Sequence, residues 1–159
     1  MSFQKMKESL VNAYERRVYI IRMKQLAGDG PVQKIIIPCL SGPTGIGKTA
    51  CVKEFATEKK FRLIKLDCSC NPSSTLAAFM WSAISRTLEG QENGYVLLID
   101  NINEADNEWL ELFDQYANNY FDAYVNMEDK TDKNIIHKIR QRFDEIPEGV
   151  FIIGEQRSN

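Results

Sequence analysis

The chain has 159 residues, 43% hydrophobic and 26% charged, with a formal net charge of −2, enough apolar material for one sizeable core and too little for two. That near-neutral balance argues against a domain living on duplex nucleic acid, although a local basic patch stays open. No run approaches the roughly 18 apolar residues of a membrane span, and the polar N-terminus MSFQKMKESL carries no signal-type apolar stretch.

Along the chain, Phe3, Met6, Leu10, Tyr14, Val18 and Ile21 fall at helical spacing. They predict an amphipathic helix over Phe3–Leu26 whose basic far face (Lys5, Lys7, Arg16, Arg17, Arg22, Lys24) is solvated. Ala27–Pro31 stops it with two glycines and a proline. Residues 1–33 thus form an N-terminal helix and linker, and 34–159 form a core of alternating units. Lys34–Leu40 (KIIIPCL) predicts a first strand, with Pro38 marking an edge position. Thr49–Lys59 predicts a helix, Phe61–Asp67 a second strand, and Ser73 or Ser74 the cap of a further helix carrying Leu76, Met80, Ala83, Ile84 and Leu88. Tyr95–Ile99 is a continuous apolar run ending in Asp100, the pattern of a strand buried on both faces. A long helix is expected over Asp106–Tyr124, with Trp109, Phe113, Tyr116, Tyr120 and Tyr124 along one side. A loop is expected over Asn126–Asp132, a helix over Lys133–Phe143 and a fourth strand over Val150–Ile153. Strands alternating with helices imply an α/β, three-layer fold with a mostly parallel sheet between helices.

One motif carries chemistry. Gly42-Pro43-Thr44-Gly45-Ile46-Gly47-Lys48-Thr49 matches the phosphate-loop pattern Gly-x4-Gly-Lys-Ser/Thr, between a predicted strand and a predicted helix. Backbone N–H groups must converge on a polyphosphate from a loop too tight for side chains, and glycines permit that approach. The following helix offers its positive end, Lys48 a full positive charge, and the Thr49 hydroxyl a ligand for Mg2+. Asp100, at the end of its strand, is placed to hold the same ion; Asp67 competes, but Lys65 interrupts its apolar run. ATP with Mg2+ is the expected ligand. The four cysteines lack paired Cys-x-x-Cys spacing and read as buried thiols of a cytoplasmic protein rather than a zinc site. His137 reads as a packing or surface residue on its predicted helix.

At these residues the chain resembles the AAA+ ATPases. GPTGIGKT is similar to that family's phosphate loop, and IDNINEA is similar to the Asp-Glu-Ile-Asn-Arg-Ala segment of its MoxR-like and dynein-related branch. The similarity runs over Ile35 to Gln156. It implies strand order 5-1-4-3-2, ATP hydrolysis, assembly into a homo-oligomeric ring and remodelling of a protein partner. Three departures stand out. Asn101 replaces the glutamate that orients the attacking water, so hydrolysis is slowed or lost unless Glu104 or Asp106 substitutes. The polar sensor of the γ-phosphate aligns with Gln156. The fifth strand, arginine finger and helical lid would lie beyond Asn159, leaving order 1-4-3-2 with the first strand at an edge; Arg157 follows the fourth strand too closely to be the finger. Two alternatives accompany the ATPase reading: a binding-only switch, and a small-molecule kinase, against which the lack of an arginine-rich lid counts. A GTPase is disfavoured, because no Asp-x-x-Gly or Asn-Lys-x-Asp is present.

Overall fold

The computed structural model describes residues 2–28, 33–128 and 135–157. In chain order it holds α1 (Phe3–Ala27), β1 (Cys39–Gly42), α2 (Lys48–Lys59), β2 (Arg62–Asp67), α3 (Ser73–Leu88) and β3 (Tyr95–Asp100). A 3-10 turn (Ile102–Glu104), α4 (Asn107–Ala117), β4 (Phe121–Glu128), β5 (Ile136–Phe143) and β6 (Val150–Arg157) follow. Four strands make one wholly parallel sheet in the order β1-β6-β3-β2, the order expected for the first, fourth, third and second strands.

The two central strands are buried on both faces, and their alternation sorts the core into two layers. Val96, Leu98, Phe151 and Ile153 pack with Met6 and Leu10 of α1 and with Cys51, Val52 and Phe55 of α2. Tyr95, Leu97, Ile99, Val150 and Ile152 face the other way, onto Leu76, Met80 and Ile84 of α3 and Trp109, Leu112 and Tyr116 of α4. The fold class expected from sequence is therefore present, a sheet between two helical layers.

Two strands differ from expectation near their ends. The first begins at Cys39 rather than Lys34, because Pro38 has no N–H to add to a ladder. Its carbonyl still accepts from Gly154 N at 2.8 Å, and Ile35 upstream is buried. The fourth runs on to Arg157, so Gln156 lies on the strand instead of past it.

The larger correction concerns 118–143. The helix expected to reach Tyr124 ends at Ala117, and 136–143 is a strand, not a helix; Lys133 and Asn134 lie outside the described residues. Asn119 takes a left-handed φ of 59°. Asn119 N donates to Tyr116 O and Tyr120 N to Gln115 O, at 2.9 and 3.1 Å, the paired bonds of a Schellman ending. The chain then turns into an antiparallel ribbon, β4 with β5. Phe121, Ala123, Val125 and Met127, at a period of two, pack against the core, whereas the stripe of Tyr116, Tyr120 and Tyr124 mimics helical spacing without being one. On the outer face Arg140 pairs Asp122 in a two-pronged contact at 2.8 and 2.7 Å, and Arg142 joins it at 3.1 Å. These guanidinium groups hold the Asp122 carboxyl below the usual carboxylate range. His137 sits on β5, exposed.

The basic face of α1 is only partly solvated. Arg17 is buried, its Nη2 donating to Pro147 O at 2.7 Å and its guanidinium stacked 4.9 Å from the centre of the Tyr116 ring. Arg22 pairs with Glu148 at 2.8 Å, and Lys7 bridges Glu54 and Glu58 of α2.

The end of α4 gives a stability test. Both side-chain polar atoms of Asn119 are buried and have no hydrogen-bond partner among the described residues. Asn119→Val, forcing a β-branched residue into the left-handed region, is expected to cost about 1–2 kcal/mol. Asn119→Gly, free of a Cβ and of polar atoms, is expected to hold or raise the thermal midpoint; denaturant unfolding of the pair checks both signs.

Candidate functional site

The phosphate-loop residues connect β1 to α2. Gly42, Gly45 and Gly47 have φ values of 151°, 93° and 86°, in the region that L-residues with a Cβ rarely enter. Gly47 is the residue preceding α2 and has no side chain to cap the helix, so the first N–H groups of α2 face the loop. A Cβ on Gly47 would also lie 3.5 Å from the Phe3 ring, which puts the start of α1 against the loop. Ile46 anchors the bend by packing into the α1–α2 layer, while Pro43 and Thr44 are exposed.

Lys48 opens α2 and is only 5% exposed. Its ammonium donates to Gly42 O at 2.5 Å and to Gln156 O at 3.0 Å, which keeps it at the loop with no ion-pair partner among the described residues. A cleft of about 320 Å³ opens here, lined among others by Thr44, Lys48, Thr49, Lys65, Asp100 and Arg157.

Strand alternation decides which edge residues reach that cleft. On β3, Asp100 has the parity of Val96 and Leu98, the side of the sheet carrying α2. On β6, Glu155 and Arg157 have the parity of Phe151 and Ile153, again the α2 side. Gln156 has the opposite parity; its side-chain amide donates to Ser41 Oγ at 3.4 Å, and its backbone carbonyl accepts from Lys48. The residue beside it was not singled out from sequence: Glu155 is 7% exposed, lines the cleft and accepts from Thr49 Oγ1 at 3.2 Å through both carboxylate oxygens. The sequence signal was present, since odd positions of VFIIGEQR share one face, but it needed the strand's extension to Arg157. Lys65 also reaches the cleft, 3.7 Å from Asp100.

Asp100 Oδ1 accepts from Asn101 N at 2.9 Å, and Asn101 takes a left-handed φ of 52°. In that conformation its side chain turns toward β2, where Nδ2 donates to Asp67 Oδ1 at 3.0 Å. Ser69 adds a hydroxyl and an amide to the same oxygen at 2.6 and 2.8 Å. These donors, Asn101 first, hold the Asp67 carboxyl below the usual range. Asp67 and Asn101 thus satisfy each other. Asp106 caps α4 by accepting from Trp109 N at 3.0 Å, the ordinary duty of an acid before a helix. Glu104 closes the 3-10 turn and is exposed.

The cysteines offer no competing chemistry. All four are free, and only Cys51 is buried, so the expectation of four buried thiols holds at one position. Burial, reinforced by nearby acids, pushes the Cys68 thiol up to about 12, where it stays protonated.

The donors around the cleft are hard oxygens from a hydroxyl and carboxylates, which suit Mg2+ rather than a softer metal. Among the described residues no three His, Cys, Asp or Glu side chains close on a metal, so an ion here would be completed by phosphate oxygens and water. No helix among them is long and apolar enough to cross a membrane.

A comparison with curated proteins found no match. A scan against protein-family models matched residues 38–154 to the model described as ATPase family associated with various cellular activities (AAA). The match runs from Pro38, just ahead of β1, to Gly154, beside Glu155, and so takes in the glycine loop, Lys48, Thr49 and Asp100. A parallel sheet in this order, with that loop at its carboxyl edge and a family match over most of its length, places the chain in the AAA family of ATPases, a nucleotide-binding family.

Proposed function

We propose that the cleft at the carboxyl edge of the sheet binds ATP as its Mg2+ complex, and that the domain couples nucleotide state to conformational change on a protein partner. The observation that carries this reading is the convergence of three glycines at positive φ, an uncapped helix start and a buried Lys48 on one cleft. Lys48, released from the carbonyls of Gly42 and Gln156, is the charge that answers the phosphates. Arg157 and Lys65 add positive charge on the same side. Thr49 and Asp100 would hold the ion, whose chemistry there is to neutralise charge on the phosphate oxygens. The resemblance of IDNINEA to the MoxR-like and dynein-related branch supports ring assembly and remodelling as the mode of action. A cytoplasmic setting and a core spanning 34–159 with an added N-terminal helix belong to the same reading.

Lys48→Met, which keeps the stem and removes the charge, is expected to weaken Mg-ATP binding by about 1.5–3 kcal/mol, roughly ten- to a hundredfold. Titration calorimetry on both proteins measures it. Equal affinities would remove the basis for the reading.

A second reading, the binding-only switch, is favoured by Asn101. The family position that orients water is here an amide committed to Asp67 at 3.0 Å. Under this reading steady-state phosphate release stays near background while Mg-ATP binds well, and robust turnover would exclude it.

The same contact makes a titration test. Because the Asp67 pKa is lowered in the fold, its contribution to stability is present above the unfolded carboxyl value of about 4 and is lost as pH falls through the folded value. Asn101→Ala is expected to move that pKa up toward the ordinary value, read by carboxyl NMR. The low-pH loss of stability then becomes shallower.

A further inference from the structure

The buried carboxylate of Glu155 lies just past the residues that the family model matches, and among the described residues it makes no ion pair. It lies on β6, between the strand that feeds the phosphate loop and the strand that carries Asp100, and is in register with Leu40 on one side and Asp100 on the other. A carboxylate 7% exposed is costly unless its acceptor sites are filled. Among the described residues its hydrogen bonds come from Thr49 alone, and that hydroxyl has a single proton shared between two oxygens at 3.2 Å each. Most of the carboxylate's acceptor capacity is therefore left over. The nearest strong cation on the loop, Lys48, gives its ammonium to the carbonyls of Gly42 and Gln156 instead.

The geometry points to Glu155 as the positioning residue for the divalent cation: it accepts the hydrogen bond of the Thr49 hydroxyl, so that the hydroxyl presents its lone pairs to the ion, and it adds a second negative charge beside Asp100. This rests on the proposed binding of Mg-ATP in the cleft. A hydroxyl has one proton and two lone pairs, so an acceptor that claims the proton fixes the direction in which the oxygen can act as a ligand. The charge has a further consequence. Two carboxylates beside a polyphosphate site repel nucleotide that arrives without its ion and attract it with the ion, so cation and nucleotide bind cooperatively. Because no trio of side chains closes on a metal among the described residues, neither ligand is expected to bind tightly alone.

The experiment is a titration of ATP into the native chain, Glu155→Gln, Glu155→Ala and Lys48→Met, each with excess Mg2+ and each in chelator. Mn2+ binding is followed by electron paramagnetic resonance with and without ATP, and the thermal midpoint of the nucleotide-free proteins is recorded. Glu155→Gln keeps an oxygen for the Thr49 proton and loses only the charge. It is expected to reduce the gain in ATP affinity conferred by Mg2+ by about tenfold, within the usual span of coupling between two ligands, and to weaken Mn2+ retention in the presence of ATP. Glu155→Ala is expected to go further, having lost the acceptor as well. If both variants move the thermal midpoint but keep the native Mg2+ gain and Mn2+ affinity, Glu155 is structural and the proposal is overturned. If the native chain binds no ATP under either condition, or Lys48→Met binds as well as the native chain, the nucleotide reading itself fails. Binding that is sensitive to Lys48 but indifferent to Glu155 overturns the positioning role alone.

Discussion

The parallel pairing of β6 with β3 is the constraint on which the site depends. Both strands are apolar on both faces, so burial alone would tolerate a slip of one residue; the polar ends would not. In the observed register Asp67, Asp100 and Glu155 form one row across β2, β3 and β6, on the face of the sheet that carries α2. A slip of one on β6 would carry Glu155 to the opposite face, where Ile102 already closes against the strand. There even a Cβ added at Gly154 would stand 2.6 Å from the Ile102 side chain. A glycine next to an acid at the end of β6 thus serves both faces at once, open packing on one and a carboxylate on the other.

Charge at this edge is assembled rather than neutralised. Lys48 is buried against carbonyl oxygens, Glu155 against one hydroxyl, and Asp100 has Lys65 only at 3.7 Å. Groups held this way are cheap to redirect, because no short ion pair must be broken first. By contrast Asp67 is fully engaged by Asn101 and Ser69, and Asp122 by two arginines. The contrast separates acids that brace the fold from acids that remain available at the cleft, although all lie at strand positions of similar sequence character.

Much of this was legible in the sequence because the signals were local. The loop Gly42–Thr49 needs only its own glycines, and YVLLID needs only an apolar run with an acid at its end. The α/β alternation followed from the same runs, as did the strand order once the family resemblance was seen. The ribbon was not legible, because Tyr116, Tyr120 and Tyr124 repeat at helical spacing while Phe121, Ala123, Val125 and Met127 repeat at two. Asn118-Asn119, a residue type that ends helices in the left-handed conformation, was the signal that should have decided between them. Arg17 was unreadable for another reason: its burial depends on Tyr116 and Pro147, both far along the chain. Glu155 fell between these cases, visible by parity but attached to a strand whose end the apolar run did not mark.

The N-terminal helix acquires a purpose from its two ends. Its first residues lie on the phosphate loop through Phe3 and Gly47, and its later turns hold the segment entering β6 through Arg17 to Pro147 and Arg22 to Glu148. A helix of 25 residues is about 37 Å of stiff rod, so the loop and the root of the β4–β5 ribbon are joined by one element as well as by the sheet. The segment held at its far end is also the one that delivers Glu155 to the cleft and follows directly from Phe143 of the ribbon. The loop and the ribbon are therefore linked by two packed routes, along α1 and along β6. The ribbon's outer face, with Tyr124 exposed and Lys138 placed 4.8 Å from the centre of its ring, lies at the end of both.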